Sequence, residues 1–209
     1  MAIERRYEAI LQAACDVFAR RGFHQASTRE IARAVQLSIA GLYHYVGGKD
    51  ELLFLALDHS LDRLIAALGA ARARAAGPEA ALLALIRTHL DFGLRHPHAL
   101  KIINRDYELL AEPNRGAIAA KRQSYLEMGL AVLRELDPGG RSAGELLSAT
   151  NLLLGMLNGI ATRPFLRSHD DVRALAGEVA ALFLYGFLGR AAEEYLPVPA
   201  AISGGEHDG

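Results

Sequence analysis

The chain has 209 residues, 51% of them hydrophobic and 22% charged, the balance of a globular protein with room for one large domain or two small ones. A net charge of −1 does not advertise nucleic-acid binding, but it hides an uneven distribution: residues 1–50 carry seven Arg/Lys against five Asp/Glu, while the rest carry 16 against 19. The single cysteine, Cys15, excludes an internal disulfide framework and fits a reducing compartment.

Ala and Leu dominate, Trp is absent and β-branched residues are sparse, so intrinsic propensity favours helix along nearly the whole length and predicts an all-α fold. From Glu4 to Arg21, Tyr7, Ile10, Leu11, Ala14, Val17 and Phe18 recur at three- and four-residue spacing, one buried helical face on which Cys15 reads as a small hydrophobe, with Gly22 as the stop. Arg5 and Arg6 leave two readings open, a basic arm reaching flanking phosphates or a disordered start. Ser27-x-x-Glu30 has capping-box spacing for a short second helix ending near Ala34. Ser38 caps a third over Ile39 to Tyr45, and Gly47-Gly48 breaks it before a long helix starts at Lys49. Further helices are predicted from Pro78 to Arg95, Pro97 to Leu110, Pro113 to Leu136, Ser142 to Thr162 and Asp170 to Tyr195, each join carrying Pro or Gly. Residues 197–209 read as a frayed tail. The result is about nine helices: a head over 1–48, a helical body over 49–196, and the tail.

Short helix, four-residue turn, short helix is the arrangement that seats the second helix in the major groove of DNA. Ile31, Ala32, Val35, Leu37 and Leu42 are expected to form its inner face, leaving Thr28, Arg29, Arg33, Ile39, Ala40, Gly41, Tyr43, His44 and Tyr45 to project. Lys49 places a cation at the positive end of a helix dipole, unfavourable alone but reversed in sign by a docked phosphate. Thr28, Tyr43 and Tyr45 carry hydroxyls suited to phosphate contacts that set register without reading sequence. Ile39, Ala40 and Gly41 offer almost no side-chain hydrogen bonding, so base reading falls to Arg29, His44, thymine methyl groups and DNA shape.

In combination, Phe18-Ala-x-x-Gly22-Phe23, Thr28-x-x-x-Ile31-Ala32, Leu42-Tyr43-His44-Tyr45 and Lys49-x-Glu51-Leu52-Leu53 resemble the TetR family of bacterial repressors. The resemblance implies phosphate contacts at Thr28, Tyr43 and Lys49, and base contacts at Arg29, residues 39–41 and His44. It implies a homodimer that binds palindromic double-stranded operator DNA, with a ligand-binding and dimerisation domain behind the head; with no basic stretch followed by an apolar one at the start of the chain, a cytoplasmic protein is expected. Val46 stands where the family has an aromatic residue, and Gly48 replaces its usual Ser or Asn cap.

In the body, polar residues interrupt apolar stripes at His89, Asn104, Arg105, Tyr107, Arg122, Tyr125, Asn151 and Asn158. A pocket between helices uses a few such groups to orient a largely apolar ligand, and Asn104, Tyr107, Arg122, Tyr125, Asn151 and Asn158 are the candidates; ordinary inter-helix hydrogen bonds are the competing reading. Leu154-Gly155-Met156-Leu157-Asn158-Gly159 followed by Arg163-Pro164 resembles the branch of the family that answers to acyl-CoA thioesters. Two segments, Leu146 to Ile160 and Ala174 to Leu188, are apolar nearly all round; they read either as monomer core or as a dimer seam through Leu153, Met156, Val179, Phe183 and Phe187. Asn151, Asn158 and Glu178 interrupt them, short of the roughly 20 apolar residues a membrane span needs. No cofactor loop or catalytic constellation stands out, and His89, His96 and His98 lack metal-site spacing, so neither enzyme nor metalloprotein is expected. A helical ligand-binding protein with a degenerate DNA-binding head is the alternative.

Overall fold

The computed structural model describes residues 2–162 and 168–187, which hold nine α-helices and no strand. Expectations for Arg163-Pro164, for the stretch from Leu188 to Tyr195 and for the tail lie outside the described residues, as does the side chain of Phe187.

The head comprises α1 (Ala2–Arg21), α2 (Thr28–Ala34) and α3 (Ile39–Tyr43). Helix α1 is already regular at Ala2, so the basic start is helical; the Arg6 guanidinium reaches back to the Val35 carbonyl at 3.1 Å and closes the C-terminal end of α2. Gly22 ends α1 in the left-handed region, φ 77°. Ser27 accepts from the Glu30 N–H at 3.2 Å, but the Glu30 carboxylate turns away to Arg21 at 3.3 Å, so only half of the expected capping box forms. The turn into α3 places Gln36 at φ 56°, where a residue with a Cβ is uncommon. Ser38 then caps α3, accepting from the Gly41 N–H at 2.9 Å.

The body comprises α4 (Lys49–Ala73), α5 (Pro78–Arg95), α6 (Pro97–Arg105), α7 (Asn114–Leu136), α8 (Ala143–Ala161) and α9 (His169–Ala181). Proline at the first position opens α5 and α6, where its missing N–H is not needed. Ser142 with Glu145, and Ser168 with Asp171, form complete capping boxes on α8 and α9. The segment expected as one helix from Pro97 to Leu110 breaks at Asp106 into α6 and a 3-10 turn, Tyr107–Leu109; α9 passes into a π-helical turn, Leu182–Phe187. Helix α5 packs against α4, α7, α8 and α9 and is the centre of the body. Its approach to α8 is close at Gly93, where a Cβ would stand 2.5 Å from that of Ala161.

One continuous apolar core runs from Ile10, Phe18 and Leu42 in the head, through Leu52, Leu53, Leu57 and Leu61 of α4, to Leu153 and Val179. Helices α4 and α6 both pack on α1, so head and body meet along two helices. Cys15 is buried there with its thiol 3.7 Å from Ser60 Oγ; burial pushes its pKa up to about 11, leaving an inert thiol.

Candidate DNA-binding face and ligand cavity

Ile31, Ala32 and Leu42 are buried, with Val35 and Leu37 packed beside them, and this inner face fixes which side of α2 and α3 reaches solvent. Arg29, Arg33, Ala40, Tyr43 and His44 are exposed, and Thr28, Ile39 and Gly41 are half-buried. The hydroxyls of Thr28 and Tyr43 lie 3.3 Å apart, bringing two of the residues expected at phosphates into one polar spot. Tyr45 packs partly against the core and stands back from this face. At Gly41 a Cβ would sit 3.2 Å from the Ser38 hydroxyl that caps α3, so the missing side chain serves the cap as well as a close approach.

Lys49 opens α4, but its ammonium is not without compensation. It donates to the His24 carbonyl at 3.1 Å, lies 4.6 Å from the centre of the Phe23 ring, and is followed by Asp50 and Glu51 in the first turn. The Glu51 carboxylate reaches back to accept from the Gly47 N–H and ties the Gly47-Gly48 turn to the first turn of α4, while the Gly48 N-cap position has no side-chain cap. The unfavourable cation at the helix start, which in sequence pointed to a phosphate, is thus partly offset inside the fold. With one hydrogen bond made, the ammonium still has donors to spare.

In the body, a cavity of about 330 Å³ gathers all six polar residues nominated from sequence: Asn104, Tyr107, Arg122, Tyr125, Asn151 and Asn158. Leu61, Leu64, Leu100, Ile103, Leu126 and Leu154 supply the apolar wall. These leucines escaped the sequence reading, because a leucine lining a cavity and one filling a core have the same helical spacing. Arg122 donates to the Ile103 carbonyl at 2.8 Å and lies 4.2 Å from the centre of the Tyr107 ring. Tyr125 is committed outward from the cavity, its hydroxyl 2.9 Å from Nδ1 of the fully buried His89. Burial lowers the His89 pKa to about 4 and raises that of Tyr125, so both are neutral partners at pH 7. Asn151 bonds the Leu147 carbonyl at 3.0 Å, the ordinary inter-turn reading, while Asn104 and Asn158 make no side-chain hydrogen bond among the described residues.

Helix α6 touches both sites. Leu100, Ile103 and Asn104 line the cavity, while Arg105, held by Asp106, donates to the Phe18 carbonyl at 2.8 Å and His98 meets Asp16 at 2.8 Å on α1.

Of the residues expected at a dimer seam, Leu153 and Val179 are buried within the chain, and Met156 and Phe183 are partly buried. The exposed large apolar side chains here are instead Leu147 (40%) and Leu152 (71%) on α8, and Leu182 (60%) and Tyr185 (79%) in the turn after α9. Among the described residues, no helix is long and apolar enough to cross a membrane, and no group of three His, Cys, Asp or Glu could hold a metal ion.

A helix-turn-helix head joined to a helical body is the build of a DNA-binding transcriptional regulator, and two family models match in the same order: bacterial regulatory proteins of the tetR family over residues 10–56, and the tetracyclin repressor-like C-terminal domain over 75–162. The chain belongs to the TetR family of transcriptional regulators. It is 27% identical over 144 residues to the HTH-type transcriptional repressor NicS of Pseudomonas putida, a match covering 68% of this chain and 66% of NicS, just under two thirds of that protein. Matches to two further curated regulators span 26% and 47% of their lengths. A TetR-family regulator from Bordetella parapertussis superimposes with a TM-score of 0.78 at 25% identity, over 89% of this chain and 97% of that one. The regulator FadR of Bacillus subtilis, solved in complex with stearoyl-CoA, shares the fold with a TM-score of 0.69 at 19% identity, over 86% and 98% of the two chains.

Proposed function

We propose that this regulator binds a palindromic operator as a homodimer, represses from it, and is released by a small, largely apolar ligand of the fatty-acid or acyl-CoA kind. The observation that carries the reading is the place of α6, one face on the cavity and the other tied to α1 of the head through Arg105 and His98. A ligand that binds two positions of α6 unequally shifts the head between them, and one that binds them equally shifts nothing. In the DNA-bound form Thr28, Tyr43 and Lys49 hold phosphates, while Arg29, Ile39, Ala40, Gly41 and His44 face the bases; Tyr45, half-buried, supports the helix end.

The pairing surface is proposed on the outer face of α8 and the end of α9. Leu152 is exposed, and a Cβ at Gly155 or Gly159 would meet nothing within 4 Å, so this face leaves room for a second helix. Leu182 and Tyr185, exposed after α9, are proposed to extend it, and Met156 and Phe183 are partly buried. Two heads held about one DNA turn apart then read a palindrome. The acyl-CoA complex of Bacillus subtilis FadR supports the ligand class only as far as a shared fold does.

Thermal-shift screening against acyl-CoAs, free fatty acids and aromatic drugs, followed by release of bound DNA, tests the reading. A compound that raises the melting temperature and weakens DNA binding is expected. Stabilising compounds that leave DNA affinity untouched would count against release by a cavity ligand.

A further inference from the structure

The cavity's single charged lining residue sets the chemistry of its occupant. Arg122 has no carboxylate within ion-pair distance among the described residues, and no other residue lining the cavity is charged. Its guanidinium carries five N–H donors; one contact to the Ile103 carbonyl is made, and the Tyr107 ring lies across its face. A guanidinium held flat by a ring and anchored at one nitrogen presents its remaining donors as a fixed fork, the geometry that fits a carboxylate with two parallel bonds. Asn158 lines the same cavity with no side-chain hydrogen bond among the described residues, and Leu64 and Leu154 supply part of its apolar wall.

We infer that the cavity selects the free-acid form of its ligand, a monocarboxylate with a compact apolar body, over the corresponding coenzyme A thioester. This rests on the reading of the cavity as the effector site. A thioester is neutral at its acyl end and carries its charge on phosphates at the far end of a long arm, so it would leave Arg122 without an anion. A carboxylate places the charge next to the apolar body. A cavity of about 330 Å³ lies at the lower end of the roughly 300–1,000 Å³ that small-molecule sites span, room for a monocarboxylate such as octanoate.

Isothermal titration of the full chain with octanoate, octanamide and octanoyl-CoA, each also run in competition, tests the inference. Octanoate is expected to bind at least tenfold more tightly than either of the others. Arg122→Gln is expected to abolish that preference while changing octanamide affinity less than threefold, with Arg122→Lys, which keeps the charge but not the fork, in between. Thermal melts of both variants establish that they fold. Octanamide or octanoyl-CoA binding as well as octanoate, and competing with it, would overturn the acid inference while leaving the cavity an effector site. A preference for octanoate that survives Arg122→Gln would overturn it too, by placing the anion elsewhere. Failure of all three to bind would remove both the inference and the reading beneath it.

Discussion

Lys49 and His89 are each a single residue whose surroundings decide what a substitution does. Lys49 is anchored to the His24 carbonyl and the Phe23 ring, so Lys49→Ala loosens the turn between α1 and α2 as well as removing a charge. Salt dependence separates the two effects: with Lys49 at a phosphate, the variant binds all DNA sequences more weakly and its slope against salt falls by about one phosphate equivalent. Weaker binding with an unchanged slope would leave Lys49 a purely structural residue. His89 is fully buried and neutral, its pKa lowered by burial to about 4 against about 6.5 in an unfolded chain. Between those values the unfolded state binds more protons than the folded one, so His89 contributes stability above pH 6.5 that is lost as pH falls toward 4. His89→Gln keeps an amide for Tyr125 and removes the titration. Denaturant melts across this range are expected to fall by up to about 3 kcal/mol more for the natural chain than for the variant. Parallel curves would place the titration elsewhere.

At the scale of elements, much was legible because it is punctuated. Pro78 and Pro97 mark the starts of α5 and α6, Ser38 caps α3, and the break after Gly22 falls where the glycine stands. What was not legible depends on partners distant in sequence. Glu30 has the spacing to complete a capping box, but Arg21 takes its carboxylate; Arg6 looks like a free arm until Val35 is seen to hold it. The segment after Pro97 keeps helical composition past Arg105, yet Arg105, held by Asp106, is tied to the Phe18 carbonyl of α1 and the chain re-forms as a 3-10 turn. That break sets α6 at nine residues and lets its ends serve two sites. Gly93 is a further case, since only the fold brings α8 against it. Gly93→Ala gains helix propensity but meets Ala161, and a net loss of about 1–3 kcal/mol is expected in thermal or denaturant melts. An unchanged or raised melting temperature would show that α5 and α8 separate freely.

For the whole molecule, the polar half of the cavity could be read from sequence because Asn104, Arg122 and Asn158 interrupt apolar stripes, whereas its leucine wall could not be told from core. The pairing surface shows the same limit. Periodicity singled out two helices for the proposed surface, but an apolar helix all round does not reveal which face its own chain covers; Leu153 and Val179 turn inward and Leu152 and Tyr185 outward. Leu152→Asp, at a position 71% exposed, is expected to leave the fold intact and yield monomers in sedimentation experiments, and a persisting dimer would place the seam elsewhere. Whether the head grips a specific operator is tested by fluorescence anisotropy on the DNA upstream of the protein's own gene. The account predicts salt-sensitive binding that resists excess non-specific competitor, with two protomers per site. Binding that competitor DNA removes as readily as it removes binding to a scrambled fragment would contradict it, and would favour a ligand-binding protein whose DNA-binding head is degenerate.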